Sequence, residues 1–270
     1  MRKRVYIALA VLFVAVGGLI GWPVIQAFRK REPVYEGKRL SGWLMQYMAN
    51  HSVAGQNREL DKQAQSAIQQ IGTNAIPALL RMLHAKDSGL KAQLIDLVAR
   101  QRIIKVHFMS ARSWNWTATA GFEVSGAKAQ SAVPALLEIV KESTSLTPKA
   151  PAIRALGSIG SPAKEAVSLL LPLSTSGNYD MRFSSIYALA QIGAEPEQVV
   201  PVLIRALKEP EIDVQTKAVS ALEHFGLDAK PAVPALLELL SRPFVMVDRT
   251  LVTNALKKID PEAAAKSGVK

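Results

Sequence analysis

The chain contains no cysteine. That excludes a disulfide framework, a thiolate metal site and an acylated lipoprotein cysteine, and it fits either side of a membrane. Aromatic residues are few, at 6%, within a hydrophobic share of 49%. A composition rich in Ala and Leu provides ample core and suits stacked helices. Histidine is scarce: His51, His84, His107 and His224 are scattered, without a His-Glu pair or a His-x3-His spacing. Two ligands on one helix face are therefore missing, and the histidines read as solvated or capping groups rather than metal ligands. Gly-x-Ser-x-Gly elbows, Walker motifs and Gly-x-Gly-x-x-Gly loops are also absent, so no catalytic nucleophile and no cofactor is expected. The acid pairs Glu195/Glu197 and Glu209/Glu211 fall at helix starts, where they offset the helix dipole without any catalytic role.

The formal net charge is +11, which points to an anionic partner until it is divided along the chain. Residues 1–39 hold eight bases and two acids, so +6 of the excess sits there and +5 is spread over the remainder. The bases therefore flank the hydrophobic leader, and a nucleic-acid partner is not expected.

That leader is Val5–Phe28, twenty-four residues without a charge, between Met1-Arg-Lys-Arg and Arg29-Lys-Arg. Roughly twenty helical residues cross a bilayer core, and Trp22 stands near the far end, where interfacial aromatics gather. Residues 1–31 are thus expected to form a single-pass signal-anchor. Ala15-Val-Gly17 offers a small-x-small cleavage site, but the length of the run and the bases directly after it favour an uncleaved anchor. Flanking bases balance on the two sides. The short basic leader resembles bacterial signal-anchors, which implies a membrane-tethered body outside the cytoplasm, in the periplasm.

Beyond the leader the sequence repeats. Gly160, Gly193 and Gly226 are 33 residues apart, as are Pro201 and Pro234. Counting back eight residues from each glycine finds Ala64, Ala118, Ala152, Ser185 and Ala218; counting back four finds Ile68, Phe122, Leu156, Leu189 and Leu222. These positions recur at helical spacing, so one stripe of each helix faces its neighbours. Each glycine is the expected left-handed cap. A second helix follows, opened by Pro162, Pro196 or Pro231, with an apolar set such as Leu236, Leu237 and Leu240. One such hairpin cannot bury its own apolar face, whereas a stack can.

The runs AIRALGSIG, SIYALAQIG and AVSALEHFG, followed by AVPALLELL, resemble the short HEAT-like repeats of phycobilin lyases over roughly residues 58–262. The resemblance implies an all-α fold, a right-handed α-solenoid of stacked antiparallel hairpins of armadillo type. The Trp-Leu-Gly-Tyr framework of tetratricopeptide repeats and the Thr-Pro-Leu-His of ankyrin repeats are absent. The expected layout is an anchor over 1–31, a spacer and capping helix over 32–58, a solenoid over 59–262 interrupted at about 85–112, and a polar tail over 263–270. Tyr35-Glu36-Gly37-Lys38 with Leu40-Ser41 and Trp43-Leu44 resembles a lead-in of membrane-anchored bacterial HEAT-like proteins. Ser41 is the expected cap of a short helix, with Trp43, Leu44, Tyr47 and Met48 on one face. An extra helix is expected between Ser88 and Lys105.

Function is less legible. HEAT-like folds include lyases and a DNA alkylpurine glycosylase type, so an enzyme of bilin-lyase or base-excision type is one implied alternative. Di-iron hydroxylases of this fold carry repeated His-Glu pairs, but here Glu223-His224 occurs once, in reverse order. The broken repeat is the favoured contact region, because insertions at such joints carry function. Its candidate partner-binding residues are Arg102, Lys105, Arg112, Trp116 and Lys128. Trp114 aligns with Leu60, Met181 and Val214 as a core residue, whereas Trp116 aligns with Lys62, Phe183 and Thr216 and is at most partly exposed. The expected function is a membrane-anchored, non-enzymatic scaffold holding a protein partner, with no small-molecule substrate.

Overall fold

A computed structural model describes residues 32–51, 57–87, 109–143, 146–242 and 247–266. The expected anchor over 1–31, the extra helix between Ser88 and Lys105, and the candidates Arg102 and Lys105 lie outside the described residues. Among the described residues no helix is long and apolar enough to cross a membrane.

Residues 32–39, expected as a spacer, form a hairpin. Strands β1 (Val34–Tyr35) and β2 (Lys38–Arg39) pair antiparallel, Val34 opposite Arg39. Glu36 and Gly37 both take positive φ, 48° and 74°, as a two-residue hairpin turn requires. Helix α1 (Leu40–His51) follows directly. Ser41 is not its cap: the Ser41 N–H donates to Glu32 Oε2 at 3.0 Å, so an upstream carboxylate closes the helix start. Leu40, Trp43, Leu44 and Tyr47 are buried, while Met48 stays 38% exposed.

Long and short helices then alternate. The long ones are α2 (Arg58–Ile71), α4 (Ala111–Ser125), α6 (Leu146–Ile159), α8 (Tyr179–Ile192), α10 (Ile212–Phe225) and α12 (Arg249–Ile259). Between them lie the short α3 (Ile76–Leu83), α5 (Val133–Glu142), α7 (Val167–Leu173), α9 (Pro196–Ala206) and α11 (Val233–Ser241), and α13 (Pro261–Lys266) closes the array. Ser110, Asn178 and Asp248 cap α4, α8 and α12 by accepting backbone N–H groups, which satisfies donors that a helix start leaves open.

The helix ends differ from expectation. Gly193 takes the left-handed cap, with φ 60° and ψ 27°. Gly226, at φ 56° and ψ −125°, occupies a region open essentially to glycine alone. It starts a 3₁₀ turn, Gly226–Ala232, that contains Pro231; Pro162 likewise lies in the turn Ser161–Ala166. These turns take up the residues between the helices. Helices α3, α5 and α11 therefore open later, with Pro77, Pro134 and Pro234 in their first two positions, whereas Pro196 opens α9 as expected.

The stripe read from the sequence is the core. Ala152, Ala155 and Leu156 on α6, and Ala218 and Leu222 on α10, have no exposed surface. Each such leucine contributes about 1.5–3 kcal/mol relative to an exposed one. Successive long helices pack directly on one another, whereas successive short helices touch little. A Cβ on Gly157 of α6 would stand 2.7 Å from Ala188 Cα of α8, a measure of how closely the long helices approach. The exposed side of this closely packed long-helix layer is termed the inner face. The described fold is an α-solenoid.

A second shared feature sits eleven residues before three of the glycines, Gly126, Gly193 and Gly226. Asn115, wholly buried, donates through Nδ2 to Met82 O at 2.9 Å and Leu83 O at 2.7 Å, closing the end of α3. Arg182 Nη1 donates to Ser176 O at 2.9 Å beyond α7, and Gln215 Nε2 donates to Glu209 O beyond α9. Each of these long helices thus supplies a donor to carbonyls at the end of the preceding short helix, which lack intrahelical partners. Replacing Asn115 by Leu strands two buried carbonyls. The expected loss is about 1–3 kcal/mol in urea unfolding, against less than about 0.5 kcal/mol for the exposed control Gln130→Leu. Equal unfolding midpoints for the two variants would refute this role for Asn115.

Candidate functional site: an arginine among aromatic rings on the inner face

The face opposite the buried stripe is set by positions ten, six and three residues before each glycine. On α4, α6 and α8 these positions bring together Trp116, Arg154, Phe183 and Tyr187. The Arg154 guanidinium carbon lies 5.4 Å from the Trp116 ring centre, 5.8 Å from Phe183 and 4.7 Å from Tyr187. Lys217 on α10 places its Nζ 5.4 Å from the same Tyr187 ring. All five residues are partly buried, a setting in which each cation–π contact is worth about 0.5–2 kcal/mol. Tyr179 stacks on Phe183 at 5.8 Å and extends the aromatic surface toward the start of α8.

Two contacts tie the long helices together across this face. Arg154 on α6 touches rings from the helices on both sides, α4 and α8. Arg112 in the first turn of α4 reaches Asp180 in the first turn of α8 at 3.9 Å. Both members of the Arg112–Asp180 pair are more than half exposed, so it contributes at most about 1 kcal/mol.

Charge on this face is unevenly satisfied. Arg182 is held by Glu209 at 3.1 Å and Glu211 at 2.6 Å, and the Tyr179 hydroxyl donates to the Asp213 carboxylate. Arg154 and Lys217 have no carboxylate within ion-pair distance among the described residues. The Nε of Arg154 is buried without a hydrogen-bond partner there.

The residues expected from sequence are split apart. Trp116 lies in the ring cluster, and Arg112 lies at the same end of α4, paired with Asp180. Lys128 is past the other end of that helix, in the 3₁₀ turn Gly126–Ala132. There it lines an open notch of about 330 Å³ with Gln69, Gly72, Val124, Ser125 and Ala127. From Trp116 to Ser125 is about 14 Å of helix, so Lys128 and Trp116 do not form one patch. Trp114 packs against the core as aligned. His84 holds Leu80 O at 2.9 Å in a capping position. Sequence reasoning missed Arg154, Phe183 and Tyr187. The available signal was their register opposite the alanine stripe, although Phe183 also packs against the core.

The model of the family described as HEAT repeats matches residues 133–223 and again 167–257, the two matches offset by 34 residues. Among solved structures, an engineered protein is similar with a TM-score of 0.51 and 19% identity over 84% of this chain and 97% of its own; that likeness concerns the fold. A designed armadillo repeat protein in complex with the peptide (KR)4 follows at TM-score 0.47 and 16% identity, over 84% of this chain and 98% of its own. The complex of CpcE and CpcF of phycocyanin lyase from Nostoc sp. PCC7120 stands at 0.45 and 16%, over 85% and 79%. No curated protein matches the chain.

Tyr47 lies buried on α1, which packs against α4. Its ring stacks on His51 at 4.7 Å. Burial, then the nearby Glu123 and Asp61 carboxylates, push its phenol up to about 12. A hydroxyl whose folded pKa is raised contributes stability that is complete below its unfolded value near 10 and is lost as pH rises toward 12. Tyr179, raised to about 12 chiefly by its hydrogen bond to Asp213, acts in the same sense. Urea midpoints are expected to fall above about pH 10, and less steeply in Tyr47→Phe than in the parent. Parallel curves for the two proteins would exclude Tyr47 as a source.

Proposed function

We propose that this chain is a non-enzymatic scaffold whose long-helix face holds a protein partner. The observation that carries the reading is the cluster of Trp116, Arg154, Phe183 and Tyr187, which forms one surface from three helices. Aromatic and arginine side chains supply most of the binding energy at protein interfaces, because they desolvate large area with little loss of conformational freedom. A solenoid presents such a surface along its curve while each unit is stabilised by its neighbours. A photo-crosslinking residue at Tyr187, on the inner face, is expected to yield discrete protein adducts in native cells. The same residue at Glu138 or Arg205, exposed on the short helices, is expected to yield none of them. Identical adducts from both faces, or none from either, would sink the reading.

The proposal includes tethering to a bilayer by residues 1–31 with the repeats outside the cytoplasm. It is supported by the uncharged run Val5–Phe28 and its basic flanks. A compartment-sensitive reporter fused after Lys270 is expected to be active only in the form that reports export. Activity in the cytoplasmic form would reverse the orientation.

A further inference from the structure

The cluster on the inner face holds a cation that has aromatic neighbours and no carboxylate. Three aromatic rings lie around the Arg154 guanidinium at 4.7–5.8 Å. Rings accept no in-plane hydrogen bond from its N–H fork. A guanidinium drawn partly out of water gains most from a carboxylate that meets the fork edge-on, through two parallel charge-assisted bonds. Among the described residues no such acceptor is present, and the buried Nε has no partner. Arg182, whose Nε likewise lacks a hydrogen bond, differs in its ion pairing, since it carries two glutamates at 2.6 and 3.1 Å.

We propose that Arg154 and Lys217 together receive two carboxylates from an extended acidic segment of the protein partner, with apolar side chains of that segment lying on Trp116 and Phe183. The proposal rests on the scaffold reading above and names what the scaffold selects. Geometry sets the spacing. The two cations lie 4.7 and 5.4 Å from one ring centre, that of Tyr187, so they are separated by no more than the total of those distances, about 10 Å. In an extended chain, side chains two residues apart share one face and stand about 6.6–6.8 Å apart. Acids at i and i+2 therefore fit, and an acid pair six residues apart, about 20 Å, does not. Of the acids on this face, Asp180 meets Arg112 and Asp213 accepts from Tyr179, while Glu123, beside Tyr47, and Glu223, three residues before Gly226, make no ion pair with Arg154 or Lys217 among the described residues. Neither cation is neutralised within the chain's described residues.

The test uses the full chain in detergent and dye-labelled, C-terminally amidated peptides followed by fluorescence anisotropy. One peptide carries Leu-Glu-Leu-Glu-Leu, a second replaces both Glu by Gln, and a third separates the two Glu by six residues. The first is expected to bind at least about tenfold more tightly than the others, the equivalent of about 1.4 kcal/mol. Arg154→Gln is expected to abolish that difference. Lys217→Gln, a partly exposed change that leaves the ring cluster in place, is expected to reduce it several-fold. Equal binding of the Glu and Gln peptides overturns the proposal, as does a preference unchanged by either substitution. Tighter binding of the free-carboxylate peptide than of its amidated form, without dependence on the Glu pair, would assign the site to a chain terminus instead and also overturns it. Displacement of the acidic peptide by a single-stranded oligonucleotide at lower concentration than by unlabelled peptide would assign the cations to phosphate, and the proposal would fall on that result too. Crosslinks from Tyr187 that persist in Arg154→Gln would leave the scaffold standing while this inference fails, and their complete absence in the parent would remove the scaffold itself.

Discussion

The close approach of one long helix to the next is the constraint on which the other features depend. Gly157 on α6 meets α8 where Ala188 lies, and the distance from a Gly157 Cβ to Ala188 Cα leaves no room for a larger residue. The short helices approach each other less. A larger residue in place of Gly157 would push α6 and α8 apart and move Arg154 away from the rings of α8.

Tight stacking creates a second problem, which the fold solves locally. A short helix ends against the next long one, and its last carbonyls have no intrahelical donors. Asn115, Arg182 and Gln215 occupy the same register and turn a side-chain donor toward those ends. Three different residue types serve one purpose, since each offers an N–H of suitable reach. A stripe of hydrophobic residues provides most of the free energy of such a stack, but it does not specify rotation or register strongly. Directional bonds from a fixed register do.

Close stacking also decides what the inner face can do. It brings side chains of different units together, so Arg112 reaches Asp180 and Arg154 lies among rings from α4 and α8. The repeat supplies the surface, and the departures from the repeat, an arginine and aromatics where other units carry Ser66, Thr216 or Ser220, give the surface its chemistry.

The amino-acid sequence by itself determined the class of fold. Period, alanine stripe and glycine spacing record burial and backbone geometry, which are local and recur in every unit. It also offered Trp116, at most partly exposed, as a partner-binding candidate. It did not decide which charges share a surface. Arg112 and Trp116 stayed near the cluster, Lys128 fell beyond the far end of α4, and Arg154 entered from a neighbouring unit. Nor did it reveal that four of the glycines adopt ψ values far from the left-handed cap, or that a glutamate closes α1 in place of Ser41. Those outcomes depend on the angle between neighbouring helices, a property of packing between units that no single repeat contains. Only the tertiary structure could therefore place a cation from one helix between rings from two others.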